Sequence, residues 1–220
     1  MKVFLGVGHG GSDPGAVANG TKEKDLNLSI ALACRDVLER HGVSVKMSRT
    51  KDEDDSVSEE IRECNAYAPD LAVDIHNNAG GGDGAEVFHH HGGGKGKVLA
   101  QNILDEIVKV GQNSRGIKTR VNFQGKDYYG FIRETSCPAV IVECAFVDNA
   151  SDLKILATES QRKTMGEAIA KGILKTLGVA YQGERSYWKV QVGAYMVKSN
   201  AEAMHKKLKA VGFDAFIVKE

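Results

Sequence analysis

Apolar residues recur with two periods along the chain. Short unbroken runs at Lys2–Val7, Val43–Met47, Leu71–Ile75, Ala85–His90 and Ala139–Cys144 have the length and residue types of buried strands, and Tyr128–Ile132 reads as another. Between these runs the spacing becomes helical. Leu26, Ile30, Ala33, Val37 and Leu38 mark one helix up to Gly42, and Val57, Ile61, Cys64 and Ala68 a second up to Pro69. Leu99, Ala100, Ile103, Leu104, Ile107 and Val108 mark a third; Met165, Ile169, Gly172, Ile173 and Leu177 mark a last one closed by Gly178. Ser56-Val-Ser-Glu59 and Thr158-Glu-Ser-Gln161 are capping boxes. Strands and helices alternate, which predicts an α/β fold: a twisted, mostly parallel or mixed sheet flanked by helices.

The pattern lapses over residues 179–186, where Gln182-Gly-Glu-Arg-Ser186 reads as a linker. The chain therefore divides into a domain over 1–178, the linker, and a small β-α-β unit over 187–220. In that unit Tyr187–Ala194 alternates like a strand, Ser199-Asn-Ala-Glu202 opens a helix carrying Met204, Leu208 and Val211, and Phe213–Lys219 is a final strand. About 34 residues are too few to hold a core alone. The unit needs a partner, a second copy as in a homodimer, or further sequence.

Composition narrows the classes of function. Lys+Arg and Asp+Glu both number 29 in 220 residues, so no broad basic face invites nucleic acid or an anionic membrane. The opening Lys2–Val7 run is too short for the core of a secretory signal, and no later run is long enough to insert in a membrane. The expectation is a protein made in the cytoplasm that meets its target after release. Cys34, Cys64, Cys137 and Cys144 lack metal-knuckle spacing and read as free thiols.

Four polar residues stand where an α/β sheet collects ligands. His9 lies in the glycine-rich loop after the first strand, Glu23 at the mouth of the first helix, and His76 at the end of the Leu71–Ile75 run; Glu143 ends Ala139–Val142. Two histidines and a carboxylate form a ligand set for hydrolytic zinc with a fourth position open to water, and Glu143 supplies the missing proton carrier. Taken singly, each residue has a plainer role. His9 can be a loop histidine, Glu23 an acidic residue favouring a helix start, His76 a strand cap, and Glu143 the ion-pair partner of Arg133 or Arg62. Asn78 either faces the same cleft or closes a strand-end turn. His89-His-His91 reads as a surface strand end, since alternation sends neighbouring side chains to opposite faces.

Gly8-His-Gly-Gly-Ser-Asp-Pro-Gly-Ala16, Glu23-Lys-Asp-Leu-Asn-Leu28, Ser48-Arg-Thr-Lys-Asp52, Arg62 with Asn65-Ala66, Asp74-Ile-His-Asn-Asn-Ala79, Ser114-Arg-Gly-Ile-Lys118 and Pro138-Ala-Val-Ile-Val-Glu143 follow one another in order. Together they resemble the zinc-dependent N-acetylmuramoyl-L-alanine amidases of type 3 over residues 1–178. The chain departs from that family at Gly6-Val-Gly8, where Asp-Pro-Gly is common. The resemblance implies zinc held by His9, Glu23 and His76, a catalytic Glu143, and peptidoglycan as substrate, cut between N-acetylmuramic acid and L-alanine. Trp188-Lys-Val-Gln-Val-Gly-Ala-Tyr195, with the helix and strand expected after it, is similar to half of a SPOR peptidoglycan-binding domain. The implied setting is a phage endolysin or a mother-cell autolysin. The alternatives are a zinc peptidase or carboxypeptidase cutting the stem peptide, and a wall-binding protein that does no chemistry. Substrate-contact residues are not legible.

Overall fold

The computed structural model describes residues 1–183 and 191–219. In chain order the elements are β1 (Lys2–Val7), β2 (Val17–Ala18), β3 (Thr21–Lys22), α1 (Glu23–Arg40), β4 (Ser44–Met47), α2 (Val57–Tyr67), β5 (Leu71–Asn78) and β6 (Ala85–His89). They continue as α3 (Gly94–Lys109), β7 (Ser114–Lys118), α4 (Gly130–Glu134), β8 (Ala139–Phe146), α5 (Ala150–Leu156), α6 (Glu159–Leu177) and α7 (Lys198–Ala210). Residues 1–182 form one compact unit and 183–220 a second.

The first unit is built on a six-stranded mixed sheet in the order β4-β1-β5-β8-β6-β7. The strands β4, β1, β5 and β8 are parallel; β6 pairs with β8 antiparallel and with β7 parallel. Alternation assigns the two faces. Val3, Leu5, Val73, Ile75, Val87, Val140 and Val142 point into the larger core, with Ile30, Cys34 and Leu38 of α1, Leu99 and Ile103 of α3, and Met165, Ile169 and Ile173 of α6. Phe4, Ala72, Phe88 and Ile141 face the other way, against Ile61 and Cys64 of α2 and Phe131 and Ile132 of α4. Those two helices are short. Beyond the apolar cluster the same face continues along the strands as Gly6, Asp74, His76, Glu143 and Glu86, a polar sheet end that α2 meets with the buried carboxylate of Glu60 over Gly6.

The expected capping boxes both form, Ser56 with Glu59 and Thr158 with Gln161. Gly178 ends α6 in the left-handed conformation, φ 74°. All four cysteines are free, with Cys34, Cys64 and Cys144 buried. Three expectations fail. Tyr128–Ile132 is not a strand: residues 130–134 form α4, because Phe131 and Ile132 lie side by side in one core cluster rather than on opposite faces of a sheet. The helix of the second unit begins at Lys198, one residue before Ser199, which does not cap it. Phe213–Lys219 carries no strand. A strand needs a hydrogen-bonded neighbour, and of the expected partner Tyr187–Ala194 residues 187–190 lie outside the described residues while residues 191–194 carry no strand. Among the described residues no helix is long and apolar enough to cross a membrane.

Candidate metal centre

His9, Glu23 and His76 converge at the polar sheet end. One donor atom from each lies within 4.8 Å of the other two. Each arrives from a different element. β1 ends against Ile75 and the chain turns through Gly8 and His9, whose φ of 63° is uncommon for a residue with a side chain. A Cβ on Gly8 would stand 2.1 Å from the His76 ring, and one on Gly15 2.6 Å from both Glu23 and His9, so close approach requires glycine at both positions. Buried Arg49 fixes the loop, donating to the carbonyls of Val7 (3.0 Å), Gly8 (3.2 Å) and Lys24 (2.8 Å), which ties the end of β1 to the start of α1.

The Glu23 carboxylate sits between the two imidazoles. His9 Nε2 is 3.2 Å from Oε2 and His76 Nδ1 is 3.1 Å from Oε1. Donors about 3.3 Å apart are what a tetrahedral ion with ~2.0 Å bonds requires, so the set fits zinc. The outward ring nitrogens are also engaged. Asp13 Oδ2 lies 2.7 Å from His9 Nδ1, and Asp74 Oδ2 lies 3.1 Å from His76 Nε2. Glu23 is held further by the N–H groups of Ala16 (2.9 Å) and Asn77 (3.1 Å) and by Asn27 (3.3 Å).

Burial alone would raise the Glu23 carboxyl, but hydrogen bonds from His76 and His9 hold it well below the ordinary carboxylate range. Burial would lower His76; the Asp74 charge, its hydrogen bond and the bond to Glu23 outweigh this and raise it well above the ordinary imidazole value. His9 is raised chiefly by its hydrogen bond to Glu23. Such protons are the ones a binding cation displaces.

Glu143 is the register neighbour of His76 on β8, and a bulge follows directly, so the backbone kinks where the site opens. On its other side Glu86 of β6 is the register neighbour. Glu86 is neutralised by Arg115 at 2.7 Å and by Lys118. Glu143 has no such cation, and neither Arg133 nor Arg62 pairs with it: Arg133 donates to the carbonyls of Asp127 and Tyr128 and to Glu134. Its Oε2 is buried without a hydrogen-bond partner, and burial pushes its pKa up to about 7. Asn78 closes the strand-end turn, accepting from the N–H of Ala79 at 2.8 Å and donating to Glu86 at 3.0 Å. His89 is buried, so His89–His91 is a surface strand end only in its last two members.

The sequence profile described as N-acetylmuramoyl-L-alanine amidase matches residues 3–175. The chain belongs to this amidase family. An N-acetylmuramoyl-L-alanine amidase of Bacillus licheniformis is 37% identical over 99% of the chain and 85% of its own length. A sporulation-specific N-acetylmuramoyl-L-alanine amidase of Bacillus subtilis is 36% identical over 99% of the chain and 84% of its own length. Among solved structures, the amidase AmiC2 of Nostoc punctiforme superposes with a TM-score of 0.73 at 29% identity, covering 81% of this chain and 97% of that one. The activity is accordingly that of a peptidoglycan amidase, and the family is zinc-dependent as a rule. A SPOR-domain profile matches residues 144–219 and overlaps the amidase profile. The overlapped residues belong to the end of β8, α5 and α6, all within the first unit.

The motifs that pointed to His9, Glu23, His76 and Glu143 did not single out Asp13 or Asp74. Asp74 did carry a signal. It stands two residues before His76 on one strand, hence on the same face.

Proposed function

We propose that His9, Glu23 and His76 hold the zinc ion of this amidase and that Glu143 moves the proton during cleavage of the amide between the lactyl group of N-acetylmuramic acid and L-alanine. One observation carries the reading. Both imidazoles turn one nitrogen toward Glu23 while a separate carboxylate, Asp13 or Asp74, engages the other. Carboxylates behind metal-bound histidines fix the ring tautomer and raise ligand basicity.

Zinc bound there would polarise the scissile carbonyl and lower the pKa of its water toward ~7. The chain's own residues do the rest. Glu23 presents its two oxygens to both rings, and its acceptance of the Ala16 and Asn77 N–H groups sets its rotamer. Glu143, with a free oxygen and a pKa near neutrality, takes the proton of the attacking water and passes it to the departing alanine nitrogen. The neighbouring Glu86 stays bound to Arg115 and Lys118 and is thereby kept out of that role.

Residues 1–178 are proposed as the catalytic domain, 179–186 as a linker and 187–220 as a wall-binding unit. The match of the sporulation-specific relative over 99% of the chain takes in that last unit and favours the mother-cell autolysin over the phage endolysin. The test of the site is mass spectrometry of fragments released from purified peptidoglycan by the native protein and by Glu143→Gln. Native protein should release intact glycan strands and new L-alanine amino termini. The variant should keep its zinc and lose roughly 10²–10⁴ in rate. Full activity in the variant overturns the role of Glu143; cuts inside the stem peptide would make the protein a peptidase.

A further inference from the structure

A second convergence of ligand atoms lies away from the amidase site. At the end of β6, His90 Nε2 is 3.0 Å and His91 Nδ1 is 2.8 Å from the same oxygen, Oδ2 of Asp127. All three donors lie within 4.8 Å of one another. Asp127 is only 3% exposed, and its other oxygen accepts the backbone N–H of His91 at 2.9 Å. The carboxylate is thus fixed, and both imidazoles lie above it on the solvent side, stacked with ring centres 4.6 Å apart. Because β6 runs antiparallel to β8 and Glu86 is the residue beside Glu143, His90 stands four residues further on, roughly 13 Å along the strand direction. The cluster therefore shares no ligand with the amidase site.

We propose that His90, His91 and Asp127 bind a second divalent transition-metal ion. Two imidazoles and one carboxylate suit zinc, nickel, cobalt or copper and disfavour calcium or magnesium. The separations of 2.8 and 3.0 Å are those of hydrogen bonds, and small movements of the two rings would open them to the ~3.3 Å edge of a tetrahedral site. A cavity of about 430 Å³, lined in part by His91, Gly92, Gly93 and Lys97, opens beside it and lets water complete the coordination. The histidines do not contribute equally. His90 Nδ1 accepts the N–H of Gly92 at 3.0 Å, so coordination through Nε2 moves the ring proton to Nδ1 and gives up that contact. His91 is half-exposed and can hold its proton on Nε2 toward solvent. His91 is therefore the stronger ligand. The ion would cross-link the turn between β6 and α3 to the loop ahead of α4, two segments otherwise joined at this point through Asp127.

The experiment is a zinc count per chain by native mass spectrometry on the purified full-length protein titrated with zinc, alongside His90→Ala and His91→Ala. Native protein is expected to take two ions; His91→Ala should take one, and His90→Ala should take the second only at higher zinc concentration than the native chain. Hydrolysis of peptidoglycan at one equivalent should be unchanged in both variants. The thermal midpoint of the native protein should rise again between one and two equivalents, by roughly 5–10 °C at a hundredfold excess over Kd, and that of His91→Ala should not. A single ion on the native chain that both variants also keep overturns the proposal, and so does a second ion that persists in both variants. A single ion that the native chain holds and His91→Ala loses would instead count against the amidase site and uphold this one.

Discussion

Glu143 occupies a position few carboxylates tolerate: buried on a central strand, flanked by Glu86 on one side and His76 on the other, with one oxygen unpartnered. Its pKa stands at about 7 against an ordinary 4.5, chiefly because burial disfavours the charged form. The sign of the stability effect follows. Below pH 4.5 the carboxyl is protonated in both folded and unfolded chains and costs nothing. As pH rises toward 7 the unfolded chain ionises first, so stability falls, and above about 7 the full penalty of roughly 3 kcal/mol applies. Denaturant unfolding of chelator-treated protein should therefore show Glu143→Gln gaining on the native chain between about pH 4 and pH 8 by that amount. A difference that stays flat with pH would mean that burial does not hold the Glu143 carboxyl near neutrality. At this scale His9, Glu23, His76 and Glu143 were legible because a strand end, a helix start and an apolar run mark their positions in the sequence. Asp13 and Asp74 were not, since which carboxylate faces a ring nitrogen depends on how the ring is turned, and the packing of several elements sets that.

Among the elements, α6 lies against both α1 and α3, and the closeness rests on two glycines. A Cβ on Gly166 would stand 2.5 Å from the Ile30 carbonyl of α1, and one on Gly172 2.5 Å from the Ile103 Cα of α3. Alanine is the better helix former by about 1 kcal/mol, so a Gly172→Ala change with room to spare would stabilise. In this helix the added carbon meets backbone, which cannot swing aside, and overpacking of about 1–3 kcal/mol opposes the gain. The net expectation is a loss of about 1 kcal/mol and a midpoint lower by roughly 2–4 °C in a thermal melt. A midpoint equal to or above the native one would show that the helices can separate at little cost. Periodicity was enough to place α1, α2, α3 and α6, whose apolar stripes run for three turns or more. It failed at α4, where five residues give no period to read, and Phe131-Ile132 suits a strand as well as a turn of helix.

The whole molecule joins a unit that contains the entire sheet, both apolar clusters and the amidase site to a second unit whose helix α7 buries no residue. The SPOR profile starts at residue 144, yet residues 144–146 lie in β8 and Met165, Ile169 and Ile173 of α6 are committed to the large core. Only the residues after 182 are therefore available to act separately from catalysis. If they hold the wall, the two units work as a linked pair, and loss of one lowers retention without touching turnover. A chain ending at Gln182 is expected to fold with the native thermal midpoint and to hydrolyse a soluble muramoyl-peptide with an unchanged kcat/KM. Its retention on insoluble peptidoglycan, read by sedimentation with the wall, should fall about tenfold or more. Equal retention would assign wall binding to the first unit alone. A fall in kcat/KM on the soluble substrate would instead mean that residues 183–220 take part in the site itself.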